Sequence, residues 1–147
     1  MGGKRSVVIM TLLGVIFLLG LLAGMHMDDA TAAPAEHPRI YELRTYTTND
    51  GKLDDLHARF SNHTNGLFVK HGITLIGYWT PADGDTADNT LVYLIAHEDR
   101  DSAKASWRAF GADEEWRKAY ADSKKDGALV KNIESQYLIP TDYSPLR

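Results

Sequence analysis

From Arg39 to Thr48 the chain alternates as an extended strand does, with Tyr41, Leu43 and Thr45 on one side and Ile40, Glu42, Arg44 and Tyr46 on the other. The second side sets a carboxylate beside a guanidinium among β-branched and aromatic residues. That pattern fits the wall of a polar-lined cavity, and it fits equally a solvated sheet face carrying an ion pair. Thr47-Thr48-Asn49-Asp50-Gly51 reads as a turn in which Asn49 or Asp50 caps the following helix. The period then changes: Leu53, Leu56, His57, Phe60, Thr64, Leu67 and Phe68 recur at helical spacing, with Asp55 and Arg59 as an exposed pair one turn apart. Gly72, just after His71, stops this helix of about twenty residues.

Ile73 to Thr80 resumes a strand, Pro81 to Asn89 is a loop, and Leu91 to His97 is a third strand, so these two strands form a hairpin. Glu98-Asp99-Arg100-Asp101 opens a helix with Ala103, Trp107 and Phe110 on its apolar side. Gly111 interrupts it and Asp113 restarts it, with Trp116, Ala119 and Tyr120 facing inward. Asn132 to Ile139 is the last strand, followed by an ordered tail from Thr141. The order strand, helix, strand, strand, helix, strand is the α+β, ferredoxin-like βαββαβ arrangement, an antiparallel sheet with helices on one face. An uncovered sheet face with aromatic residues predicts a homodimer in which two sheets enclose a barrel.

Ahead of this domain, Lys4 and Arg5 precede an uncharged, apolar run from Ser6 to Met25, and Ala30-Thr31-Ala32 follows. Basic, apolar and small-residue segments in that order predict a signal peptide. The run is also long enough to span a bilayer as an uncleaved anchor. Both readings place the domain from residue 36 to 147 outside the cytoplasm, periplasmic or secreted, with residues 1 to 35 as signal or anchor plus linker. The net charge of −4 without a Lys/Arg cluster excludes nucleic acid as a partner. The absence of cysteine excludes disulfides, thiol catalysis and a lipid-modified cysteine anchor.

Glu42 and Arg44 are candidates to bind a polar ligand, and Tyr46, Trp79 and Tyr93 to line a pocket for a flat organic molecule. Structural ion pairing and core packing explain the same residues. His97 falls on the same side of its strand as Tyr93, where a histidine carries protons near neutral pH. His57, His63 and His71 lack the one-turn spacing of a helical metal pair, so no metal is expected, and no motif calls for a cofactor.

Five separated stretches, Ile40-Tyr41-Glu42-Leu43-Arg44-Thr45-Tyr46, Gly77-Tyr78-Trp79, Leu91-Val92-Tyr93-Leu94, Trp107-Arg108-Ala109-Phe110 with Asp113 and Trp116, and Tyr143-Ser144-Pro145-Leu146, resemble the NIPSNAP family of the dimeric α/β-barrel superfamily. The resemblance implies a ferredoxin-like fold that dimerises, and brings no settled mechanism with it. The apolar N-terminus departs from an Arg-rich mitochondrial presequence, so the roles of animal members do not carry over. Two functions remain. One is an exported dimer binding a small organic ligand in its barrel cavity. The other is a cofactor-free enzyme of monooxygenase or isomerase type, with His97 or Glu42 as the base and Arg44 or Trp79 holding the anion.

Overall fold

β1 (Ile40–Thr48) lies at the centre of the structure, hydrogen-bonded on one side to β3 (Thr90–His97) and on the other to β4 (Val130–Leu138). The structure, a computed structural model, describes residues 39–146. The apolar Ser6 to Met25 run and its expected cleavage region lie outside the described residues. β2 (Thr74–Trp79) flanks β3, giving the order β2-β3-β1-β4 with every neighbouring pair antiparallel. Interleaving two strand-helix-strand units in this order is the ferredoxin-like α+β arrangement expected from the sequence.

Register decides which residues face the helices. Glu42, Arg44 and Tyr46 sit opposite Ile95, Tyr93 and Leu91 on β3 and opposite Tyr137, Ser135 and Ile133 on β4. The β1 and β3 part of this face lies beneath the helices, where Tyr46, Leu56, Phe60, Phe68, Tyr93 and Phe110 belong to one core cluster, while Ile133 and Ser135 on β4 remain exposed. The aromatic rings meet mostly edge to face, for example Phe68 with Phe110 at 4.9 Å and with Trp107 at 5.3 Å between centroids.

The first helix is not regular. α1 (Leu53–Arg59) passes through a π-helical turn, Phe60–Thr64, before α2 (Asn65–Lys70). Thr64 closes the widened turn by donating from Oγ1 to the Arg59 carbonyl at 3.2 Å. Asn49 does not cap α1 as expected. Its side-chain amide donates to the Ala128 carbonyl at 2.7 Å and ties the β1 end to the entry of β4, while Lys52 takes the capping position without a side-chain bond to the helix backbone. Gly72, in the left-handed region at φ 77°, ends the helix where predicted.

α3 (Arg100–Ala112) is capped by Asp99, which accepts from the Asp101 and Ser102 amides. It runs through Gly111 rather than breaking there. The break falls at Asp113, whose extended backbone starts α4 (Glu114–Asp122) and whose carboxylate accepts from the Glu115 amide at 2.8 Å. The same carboxylate receives Lys70 at 2.8 Å and His71 at 2.7 Å, joining the end of α2 to the α3–α4 corner. These hydrogen bonds hold the Asp113 carboxyl well below the usual range. Asp113→Ala removes a cap and this joint together, and the expected result is a lower melting temperature by circular dichroism. A melting temperature equal to wild type would show that the corner holds by packing alone.

The other sheet face carries no helix. Leu43 and Leu94 pair directly across it, with Val92 and Trp79 paired beside them, and Trp79 is 53% exposed. Trp79 folds back over Gly77, where a Cβ would lie 2.5 Å from the indole, so a side chain at position 77 displaces the ring. Trp79 was expected to line a pocket with Tyr46 and Tyr93. It points to the opposite face because the register shift between Leu75 and Gly77 in β2 moves the alternation by one residue, which leaves Tyr78 beneath the helices instead.

Candidate functional site

Glu42 is 1% exposed, and a carboxylate that far from water must be fully partnered. It is. Oε2 accepts from Trp107 Nε1 at 2.7 Å and lies 3.3 Å from His97 Nε2, while Oε1 accepts from Ser135 Oγ at 2.6 Å and from Arg44 Nη1. Burial raises the carboxyl, but the bonds from His97, Ser135 and Trp107 and the charge of Arg44 outweigh it and hold the group down to about 2. Because a carboxylate only accepts, His97 carries its proton on Nε2 toward Glu42, and its Nδ1 has no partner among the described residues. Arg44 is fixed in turn by Tyr46, whose hydroxyl accepts from Nη2 at 3.3 Å, and by the Trp107 ring 4.5 Å beneath its guanidinium.

This network forms the wall behind a cavity. Between β4 and the helices opens a space of about 440 Å³, walled by Tyr46, Phe60, Phe68, Trp107, Trp116 and Tyr120. That volume suits a drug-sized organic molecule. Two backbone irregularities border it. The π-helical turn supplies Phe60 and Thr64, and Arg59 directly precedes it. The register shift between β1 and β4 leaves Lys131 as an extra residue in a strand whose segment from Ala128 to Ile133 forms the mouth. Both kinds of irregularity serve to re-aim side chains and are frequent at functional sites.

The six residues singled out from sequence therefore separate. Tyr46 lines the cavity. Glu42, Arg44 and His97 stand one layer behind it, reaching it through Trp107 and Tyr46. Tyr93 is fully buried beneath Tyr46, stacked on Tyr78 at 5.5 Å, and burial pushes its hydroxyl well above the ordinary tyrosine value. Trp79 lies on the far face.

Arg59 was missed as a cavity residue. It was expected to be exposed and paired with Asp55, yet it is 5% exposed and Asp55 pairs with Lys52 at 3.1 Å. The signal for it was its place one turn after Leu56 and beside Phe60, on the apolar stripe.

A ferredoxin-like α+β domain with one bare sheet face and an aromatic-walled cavity between sheet and helices is the class these features define. The NIPSNAP family model matches residues 41–145, and the chain belongs to that family. Among solved structures, a NIPSNAP family protein of unknown function from Agrobacterium tumefaciens is 23% identical with a TM-score of 0.66, covering 76% of this chain and 96% of its own. An uncharacterised NIPSNAP-like domain protein from Burkholderia xenovorans is 22% identical with a TM-score of 0.64, covering 74% of this chain and 90% of its own. At these identities the likeness shows the shared fold. A search of curated proteins finds no match.

Proposed function

We propose that the protein is an exported, dimeric binding protein that holds a small organic ligand in the cavity between its sheet and its helices. The observation that carries this reading is the cavity itself, about 440 Å³ with aromatic walls, opened by irregular backbone in both the helix and the strand that border it. A core packed for stability alone closes such a space. Dimerisation is supported by the apolar group of Leu43, Val92, Leu94 and Trp79 on the sheet face that bears no helix. Export is supported by Lys4 and Arg5, the apolar run after them, and the Ala-x-Ala that follows.

Proton abstraction by Glu42 or His97 gains no support from the geometry. Glu42 has both oxygens occupied and a carboxyl held down to about 2, which makes it a weak base. His97 is 2% exposed, with one ring nitrogen turned to Glu42.

Native mass spectrometry of the protein isolated from its own host tests the reading. A dimer with a reproducible added mass is the expected result, and Leu94→Glu, which places a charge opposite Leu43, yields the monomer. A monomeric wild type at micromolar concentration defeats the dimer. A dimer that takes up no mass from a metabolite extract defeats the ligand.

A further inference from the structure

Arg59 lacks what the other buried charges of this domain have. Glu42 has Arg44, and Asp113 has Lys70, but Arg59 at 5% exposure has no carboxylate within ion-pair distance among the described residues. Its Nη1 donates to Ser123 Oγ at 3.3 Å, its Nε has no partner among the described residues, and its guanidinium lies 5.5 Å from the Trp116 ring centre and 5.4 Å from that of Tyr120. A buried cation without a counter-ion destabilises a fold unless something else supplies the charge.

The rest of the cavity wall agrees in sign. Lys124, its ammonium 4.0 Å from the Tyr120 ring centre, and Lys131, the extra residue of β4, line the same space, and among the described residues no Asp or Glu does. This selection of cations occurs in a chain whose net charge is −4. Arg59 and its partner Ser123 also border a second depression, together with Asp55, Asp122 and Asp126, none of which lies within ion-pair distance of the guanidinium. There Asp122 is bound by Lys118 at 2.6 Å and Lys125 at 2.8 Å, and Asp55 by Lys52.

We propose that the cavity selects an organic anion with a flat ring system, its carboxylate paired with Arg59 and its rings among Phe60, Trp107 and Trp116. This rests on the ligand-binding reading above and names the class of ligand. The guanidinium presents a planar set of donors matched to a carboxylate, and its buried Nε has no partner among the described residues. Lys124 and Lys131 draw the anion toward the mouth. Burial holds the Arg59 guanidinium below its ordinary value against the influence of Tyr46, Tyr120 and Tyr93, and a bound carboxylate relieves that burden.

The test compares naphthoate with naphthamide, one ring system with and without the charge, by isothermal titration of the full chain. The expected result is naphthoate binding about tenfold or more tighter than naphthamide, as a buried charge-assisted bond provides. Arg59→Met removes this preference and leaves naphthamide binding in place, while Arg59→Lys keeps much of it. The melting temperature of ligand-free Arg59→Met is expected to equal or exceed that of wild type, because no ion pair is lost; an arginine serving structure alone would lower it. Equal binding of the two compounds by wild type overturns the anion assignment and leaves the cavity reading standing. Binding of neither compound at millimolar concentration overturns both.

Discussion

Replacing Glu42 by alanine is expected to cost about 3–5 kcal/mol of folding stability, the effect of breaking a buried ion pair from one side. The loss does not come from the pair alone. Trp107 Nε1 and Ser135 Oγ both lose their acceptor, His97 loses the group that holds its ring, and Arg44 is left with the Tyr46 hydroxyl. Urea unfolding of Glu42→Ala, Arg44→Met and the double variant measures the cycle, and strong non-additivity is expected because both residues belong to one network. Additive effects below about 1 kcal/mol would mean that the carboxylate is solvated rather than buried.

Acid provides an independent check on the same group. The folded carboxyl lies at about 2 and the free group at 4.5, so its contribution is complete above pH 4.5 and is lost as the pH falls toward 2. The shift corresponds to about 3 kcal/mol over that window. Glu42→Gln is expected to lack this part of the acid dependence, and an unchanged acid profile in that variant would assign it elsewhere.

Phe68→Ala is the second large effect, at about 3–5 kcal/mol for removing a fully buried aromatic ring. Phe68 is 1% exposed and packs against Phe60, Trp107 and Phe110 at once. It also forms part of the cavity wall, so truncation extends that space into the core instead of allowing it to collapse. Denaturant midpoints for Phe68→Ala and Phe68→Leu measure this, with the leucine expected to recover most of the loss. Equal midpoints for the two variants would show that the loss comes from the edge-to-face contacts rather than from volume.

The strand and helix order could be read from the sequence because both periods are strong: alternation in β1 and β3, and the recurrence of Leu56, Phe60, Leu67 and Phe68 in the first helix. The mixed character of the Glu42, Arg44 and Tyr46 face was also legible, since charges amid aromatic residues require partners wherever they are buried. Which partners could not be read. Trp107 and Ser135 reach Glu42 across 65 and 93 residues of chain, brought there by the packing of α3 on the sheet and by the β1–β4 register. Trp79 was misplaced because the irregularity at Ile76 leaves no mark in a sequence already rich in β-formers, yet it reverses the face of everything after it. Arg59 was taken for a surface residue because an acidic residue one turn away offered an easy partner, and a π-helical turn has no composition of its own. The candidate site was thus obscured mainly where the backbone departs from regular geometry.

That departure in the first helix also changes the direction in which its residues face. A π-helical turn inserts one residue without adding a full turn, so the stripe before it and the stripe after it run out of phase. Arg59, Phe60 and Thr64 line the cavity, and past the turn Phe68 lines it too while Leu67 packs in the closed core; Phe60 and Phe68 belong to both. Deleting a single residue between 60 and 64 would force both stripes into one phase, so at this turn chain length, more than residue identity, sets whether the domain keeps a cavity.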